Sequence, residues 1–124
     1  TLDPKRQAGH LRDMLIYKIF RGDEWRTLYE QGESLGAPID VSDGYIHFST
    51  AEQIGETAAK HFANEDGLMV LALDARRLAS IKWEPSRGGA LFPHLYRTLR
   101  LADVIWARPI LLGPDGHIFP DGVE

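Results

Sequence analysis

Cysteine is absent from the 124 residues. With it go disulfide staples, thiolate nucleophiles and every zinc or iron–sulfur pattern that needs sulfur ligands. Any metal would have to be held by histidine and carboxylates alone. No apolar run approaches the roughly 18 residues of a membrane span, so no membrane partner is expected. Positive charge is in deficit, since 14 Lys and Arg stand against 18 Asp and Glu for a formal charge of −4. Binding duplex nucleic acid or another polyanion takes a basic face that neutralises phosphates, and none is legible here; a small local cationic pocket stays open. The familiar catalytic spacings are missing as well. Without His-Glu-x-x-His, Gly-x-Ser-x-Gly, a Walker loop or Gly-x-Gly-x-x-Gly, zinc protease, serine hydrolase, P-loop and Rossmann readings lose their usual support.

What is present reads as one domain. The chain is 44% hydrophobic and 26% charged, as ordinary soluble proteins are, and at this length it buries roughly two-thirds of its unfolded surface. Thr1 to Asp13 is polar and lacks the apolar core of a signal peptide. It is expected to be a solvated extension over 1–13, with a single domain over 14–124 and a cytoplasmic address by default.

Leu15 to Phe20 is rich in β-branched and aromatic residues and predicts a first strand. Asp23 caps a short helix over Glu24–Gln31, in which Trp25, Leu28 and Tyr29 recur at three and four and Gly32 stops the run. Glu33 to Val41 has no period and reads as a loop, followed by turn chemistry at Ser42-Asp43-Gly44. Tyr45 to Ser49 alternates as a second strand. Thr50-Ala51-Glu52-Gln53 fits a capping box for a second helix with an inward row of Ile54, Ala58 and Phe62. Leu68 to Leu73 is a continuous apolar run fit for a central strand. A capped turn at Asp74–Leu78 comes next, then a strand over Ile81–Glu84, a mobile link at Ser86–Gly89 and the ring-rich segment Phe92–Tyr96. Val104–Ala107 and Ile110–Leu112 are strand material around Pro109, which demands an edge or a bulge. Gly113–Gly116 turns the chain so that His117-Ile118-Phe119 pairs back as a terminal hairpin. Helices alternate with strands early, while strands dominate late. The class is α+β.

Three places combine a reactive group with backbone that would hold it. On the second strand, His47 and Ser49 share a face that runs directly into the helix start at Thr50, where unpaired N–H groups receive polar or anionic ligands. Glu84 is fixed at a loop mouth by Pro85, and His94 with Tyr96 lies beside the stiffening Pro93. Each has an ordinary alternative as a half-buried strand histidine, an exposed edge carboxylate, or a loop histidine covering core. Arg87 between Ser86 and Gly88-Gly89 offers a phosphate contact or is solvated surface. A metal held by His47, His94 and Glu84 is conceivable, but nothing in the spacing singles it out, and no metal is expected. His10, His61 and His117 are read as having no role at a site.

Three motifs occur in order: Gly44 to Gln53, Trp83-Glu84-Pro85, and Leu91-Phe92-Pro93-His94-Leu95-Tyr96. They resemble the domain of unknown function 952 family, small bacterial proteins, from Met14 to about Phe119. More distantly, the strand order and the His-hydrophobic-Ser-Thr stretch resemble the ADP-ribosyltransferase superfamily, including its RNA 2′-phosphotransferase branch. That likeness implies an NAD-binding split β-sheet fold with NAD as cofactor. It puts Tyr17 and Lys18 on the first site strand, with Lys18 where the family usually has His. His47, Ser49 and Thr50 fall on the second, and Glu84 or the His94–Tyr96 segment near the third. Cleaving the nicotinamide–ribose bond asks for a carboxylate near the sugar, aromatic surface for the ring and donors for the pyrophosphate. Glu84, Tyr17 or Tyr96, and Arg87 with Lys18 are the residues expected to supply them, with His47 on a ribose hydroxyl. The function so implied is a transferase or glycohydrolase acting on a nucleotide. The rival is a non-enzymatic module that binds a small ligand or a partner on the same fold.

Overall fold

The computed structural model describes residues 14–123, apart from the side chain of Arg87. The extension read over 1–13, with His10, and the phosphate contact read at Arg87 lie outside the described residues.

Strand β1 (Leu15–Arg21) leads through helix α1 (Gly22–Gln31) and the short β2 (Glu33–Ser34) to α2 (Pro38–Asp43). Then come β3 (Ile46–His47), α3 (Ala51–His61), β4 (Leu68–Asp74), β5 (Ile81–Pro85) and β6 (Leu91–Leu95). The chain ends in β7 (Leu99–Arg100), β8 (Val104–Gly113) and β9 (Gly116–Ile118). One sheet has the order β1-β4-β8-β9, a second β3-β6-β5, and β2 pairs with β7. All pairings are antiparallel. Among the described residues a single β-bridge joins the two larger sheets, Tyr17 N donating to Ser49 O at 2.8 Å and Ser49 N to Tyr17 O at 2.9 Å; beside it, Phe48 N donates to Pro93 O of β6 at 3.0 Å. The result is an α+β domain with a curled antiparallel sheet.

β4 is apolar throughout because both of its faces are covered. Leu71 and Leu73 pack with Ile16, Phe20 and Leu28 on one side. Val70 and Ala72 pack with Tyr17, Ile19, Ile54 and Ala58 on the other. The alternation along β1 therefore puts Lys18 on the same buried face as Ile16 and Phe20. Of the expected inward row on α3, Ile54 and Ala58 are buried, and Phe62 is half-buried at the C-cap.

Several elements differ from the sequence reading. Glu33–Val41 is not a loop, since it holds β2 and most of α2. Pro38 takes the first helical position, where its missing N–H costs nothing, and the helix is too short to show a period. Phe92–Tyr96 contributes the central strand of the second sheet, β6. The two stretches around Pro109 merge into β8, and Pro109 faces Met69 of β4 at a point that β9, pairing only from Leu111, does not reach. Ser86–Gly89, expected as a mobile link, is a tight turn closed by Gly89 N to Ser86 O at 2.8 Å and Ser86 N to Ala90 O at 2.9 Å. Among the described residues, no helix is long and apolar enough to cross a membrane.

Candidate functional site

A lysine placed on an apolar strand face needs a counter-charge, because an isolated buried ammonium costs far more than folding can supply. α2 provides it. Lys18 Nζ lies 2.7 Å from Asp40 Oδ2, and the two side chains are 7% and 0% exposed. Lys18 also donates to His47 O at 2.9 Å. Four donors converge on the Asp40 carboxylate: Lys18 Nζ, Ala37 N at 2.7 Å, His47 N at 3.0 Å and His47 Nδ1 at 2.6 Å. Burial opposes the Asp40 charge, but the hydrogen bonds from His47 and the charge of Lys18 outweigh it and hold the carboxyl below the usual range. Burial likewise pulls the Lys18 ammonium below its ordinary value against the pull of Asp40.

His47 is therefore held at one end by Asp40. At the other, its Nε2 meets Asp43 Oδ2 at 3.0 Å. Both ring nitrogens are engaged by carboxylates, and the ring can donate to both only when doubly protonated. On the neighbouring strand His94, the cross-strand partner of His47, packs edge-on with ring centroids 5.4 Å apart. Tyr45 stacks on His94 at 4.2 Å. His94 Nδ1 lies 2.9 Å from Glu84 Oε1, and the Tyr96 hydroxyl donates to the same oxygen at 2.6 Å. The Tyr96 hydrogen bond, with that from His94 behind it, holds the Glu84 carboxyl below its ordinary value. The carboxylate in turn pushes the Tyr96 phenol up to about 12.

A cavity of 560 Å³ opens beside this network, where the two sheets meet. Pro38, Ile39 and Asp43 line it from α2, and Thr57 and His61 from α3. Lys18, His47, Ser49 and His94 reach it from the strands and their ends, with Arg21, Phe48, Phe62, Ser86 and Phe92 also on the wall. The Ser49 hydroxyl is shared with that of Thr57 at 2.9 Å. Arg21 is paired with Glu65, Nε to Oε1 at 2.8 Å, and lies over the Phe62 ring. Polar donors, one partly exposed carboxylate and three phenylalanine rings thus share one hollow, which suits a ligand with both a flat apolar part and hydroxyl or anionic groups.

The sequence-derived residues divide as follows. Lys18, His47, Ser49 and His94 lie on the cavity wall. Glu84 and Tyr96 stand behind His94, bonded to it directly or through one another. Tyr17 borders the cavity, but its hydroxyl donates to Gly122 O at 3.0 Å and its ring tilts against Trp106. Thr50 serves α3 as its N-cap, its N–H donating to Gln53 Oε1 at 3.1 Å. Lys18, expected to meet pyrophosphate, is ion-paired with Asp40. Among the described residues, no group of three or more histidine and acidic side chains is disposed to hold a metal ion.

The family described as protein of unknown function (DUF952) matches residues 19–107. The chain belongs to this family. Protein CC0527 from Caulobacter crescentus, in its X-ray structure, is 46% identical over 83% of this chain and 91% of that one, with a TM-score of 0.80. The solution NMR structure of CC0527 gives 46% identity over 84% and 90% of the two chains, with a TM-score of 0.76. No curated protein matches.

In this DUF952 member Asp40, Asp43 and His61 join the site without a motif in the sequence that announces them. Asp40 lies in a stretch without a period, and its signal is indirect: a lysine inside an otherwise apolar strand demands a buried acid somewhere else. Tyr45, just before β3, lies two residues from His47, and the period of two over Tyr45 to Ser49 puts it on the same face. His61, beside the apolar row of α3, reaches the cavity from the last turn of that helix.

Proposed function

We propose that the cavity is a nucleotide-binding site on an ADP-ribosyltransferase-like fold, with NAD the first ligand to try and glycosyl transfer or hydrolysis at the ribose its chemistry. The observation that carries this reading is the position of the hollow. It opens where two sheets are joined by the Tyr17–Ser49 bridge, and Lys18, His47 and Ser49 reach it from the two strands of that junction. Its volume falls in the range of small-molecule sites, about 300–1,000 Å³.

The residues fit the binding half of that function. Phe48, Phe62 and Phe92 offer surface for a base, and Arg21, paired with Glu65, brings positive charge to the wall where phosphate would lie. When bound, NAD supplies a nicotinamide leaving group on the ribose. For the carboxylate that such chemistry asks for we favour Asp43, which lines the cavity, over Glu84, whose Oε1 already receives Tyr96 and His94. This occupation of Glu84 is the specific point in favour of the second reading, a binding module without turnover.

Thermal-shift measurement against NAD, ADP-ribose, AMP and nicotinamide tests the proposal. A nucleotide at a hundred times its dissociation constant should stabilise the protein by about 2.7 kcal/mol. Stabilisation by NAD with release of nicotinamide, lowered in Asp43→Asn, supports the enzyme. Stabilisation without release supports the binder. If no nucleotide moves the transition, the nucleotide reading is wrong.

A further inference from the structure

We infer that His94 is the proton acceptor the cavity offers its ligand, with Glu84 as the positioning residue that fixes the ring so that Nε2 presents its lone pair to a hydroxyl or N–H donor. The inference rests on the cavity being a ligand site, and it holds for a nucleotide or for any other polar ligand.

Glu84 Oε1 already receives the Tyr96 hydroxyl at 2.6 Å. An ionised carboxylate has no proton to give, so the 2.9 Å contact with His94 Nδ1 has the ring nitrogen as donor. A neutral imidazole has one donor and one acceptor nitrogen. With the proton on Nδ1, Nε2 is left with its lone pair. The His94 side chain is only 3% exposed, it belongs to the cavity wall, and none of the described residues takes Nε2. A buried acceptor without a partner is costly, and one that lines a cavity finds its partner in whatever the cavity holds. Tyr45 stacked on one face and His47 set edge-on keep the ring from turning.

The contrast with His47 sharpens the assignment. Both nitrogens of His47 are engaged by Asp40 and Asp43, which makes it a fixed part of the wall. His94 has one nitrogen tied and one available, the arrangement by which a carboxylate orients a general base. The step itself is a proton transfer. An O–H or N–H bond of the ligand or of a cavity water breaks, a new N–H bond forms at Nε2, and the electron pair stays on the donor atom.

The test uses the whole chain labelled with ¹⁵N-histidine. At mildly alkaline pH the His94 resonances should show a protonated Nδ1 and a bare Nε2, with this single tautomer lost to a mixture in Glu84→Ala and kept in Tyr96→Phe. A proton found on Nε2 overturns the inference. Diethyl pyrocarbonate, which acylates an imidazole nitrogen through its lone pair, should mark His94, with the adduct lost in His94→Asn. A folded protein left unmarked at His94 overturns the inference too, since Nε2 would then be closed to ligands. NAD and AMP added to the labelled protein separate this inference from the nucleotide reading. If neither shifts Nε2 while His94 is bare and is acylated, the nucleotide reading fails and the proton acceptor stands.

Discussion

Lys18 shows how one side chain constrains a site. It is a charge on a strand face made for Ile16 and Phe20, and it is tolerated because Asp40 meets it at 2.7 Å. Removing one member of a buried pair strands the other, so Lys18→Met should destabilise the protein by about 3–5 kcal/mol in urea denaturation. A loss below about 1 kcal/mol, the level of an exposed pair, would mean that Asp40 does not depend on it. The acid side of the stability profile belongs to the same carboxylate. An aspartate in the unfolded chain takes its proton near pH 3.8, and Asp40 in the folded protein does so lower. Between the two values the unfolded state binds the extra proton and gains population. The contribution of Asp40 is therefore intact above about pH 3.8 and lost as pH falls through the folded value. Asp40→Asn should be less stable at neutral pH and lose less between pH 3.8 and the folded value, when melting temperature is followed against pH. At this scale the sequence was partly legible: His47, Ser49 and His94 could be picked out because alternation and flanking residues fix their faces. Asp40 could not, because its role depends on a lysine more than twenty residues earlier and on an unforeseen helix.

That helix, α2, rests on a turn that only glycine fits well. Gly36 has φ +96°, and a Cβ there would run into the Asp40 side chain. Gly32, at φ +78° beyond the end of α1, has open space where its Cβ would be. Alanine at either position bears the cost of a left-handed backbone, about 1–2 kcal/mol, but only Gly36→Ala also displaces the acid that holds Lys18 and His47. Gly36→Ala should therefore lose more stability than Gly32→Ala, and the His47 ring resonances should move in the first and stay in place in the second. Equal losses with unmoved resonances would refute the linkage between this turn and the site. Elements with a long period or a continuous apolar run, such as α3 and β4, are written plainly in the chain. α2 has six residues, too few for amphipathic repetition to emerge. β6 was hidden by Pro93, which reads as a strand breaker yet leaves its carbonyl to accept Phe48 N.

Across the whole molecule, the two sheets are unequal partners. β4 is hydrogen-bonded on both sides, by β1 and β8, and apolar on both faces. The β3-β6-β5 sheet is tied to it through the Tyr17–Ser49 bridge, the Lys18–His47 contact and the packing of Ile46, Phe48 and Leu95. Cooperative units with fewer buried contacts open at lower free energy than the global transition. Amide protons of Val70 and Leu71 should accordingly exchange in the slowest class, and those of β5 and β6 faster, by native-state hydrogen exchange. Lys18→Met removes one of the ties, so it should speed exchange in β5 and β6 more than its effect on global stability accounts for. A ligand in the cavity touches residues of both sheets, so its binding should slow the same amides beyond the shift in β4. Uniform exchange across the two sheets, unchanged in its pattern by Lys18→Met, would make the domain a single cooperative unit. The cavity would then lie inside one rigid body, with no weaker seam for a ligand to close.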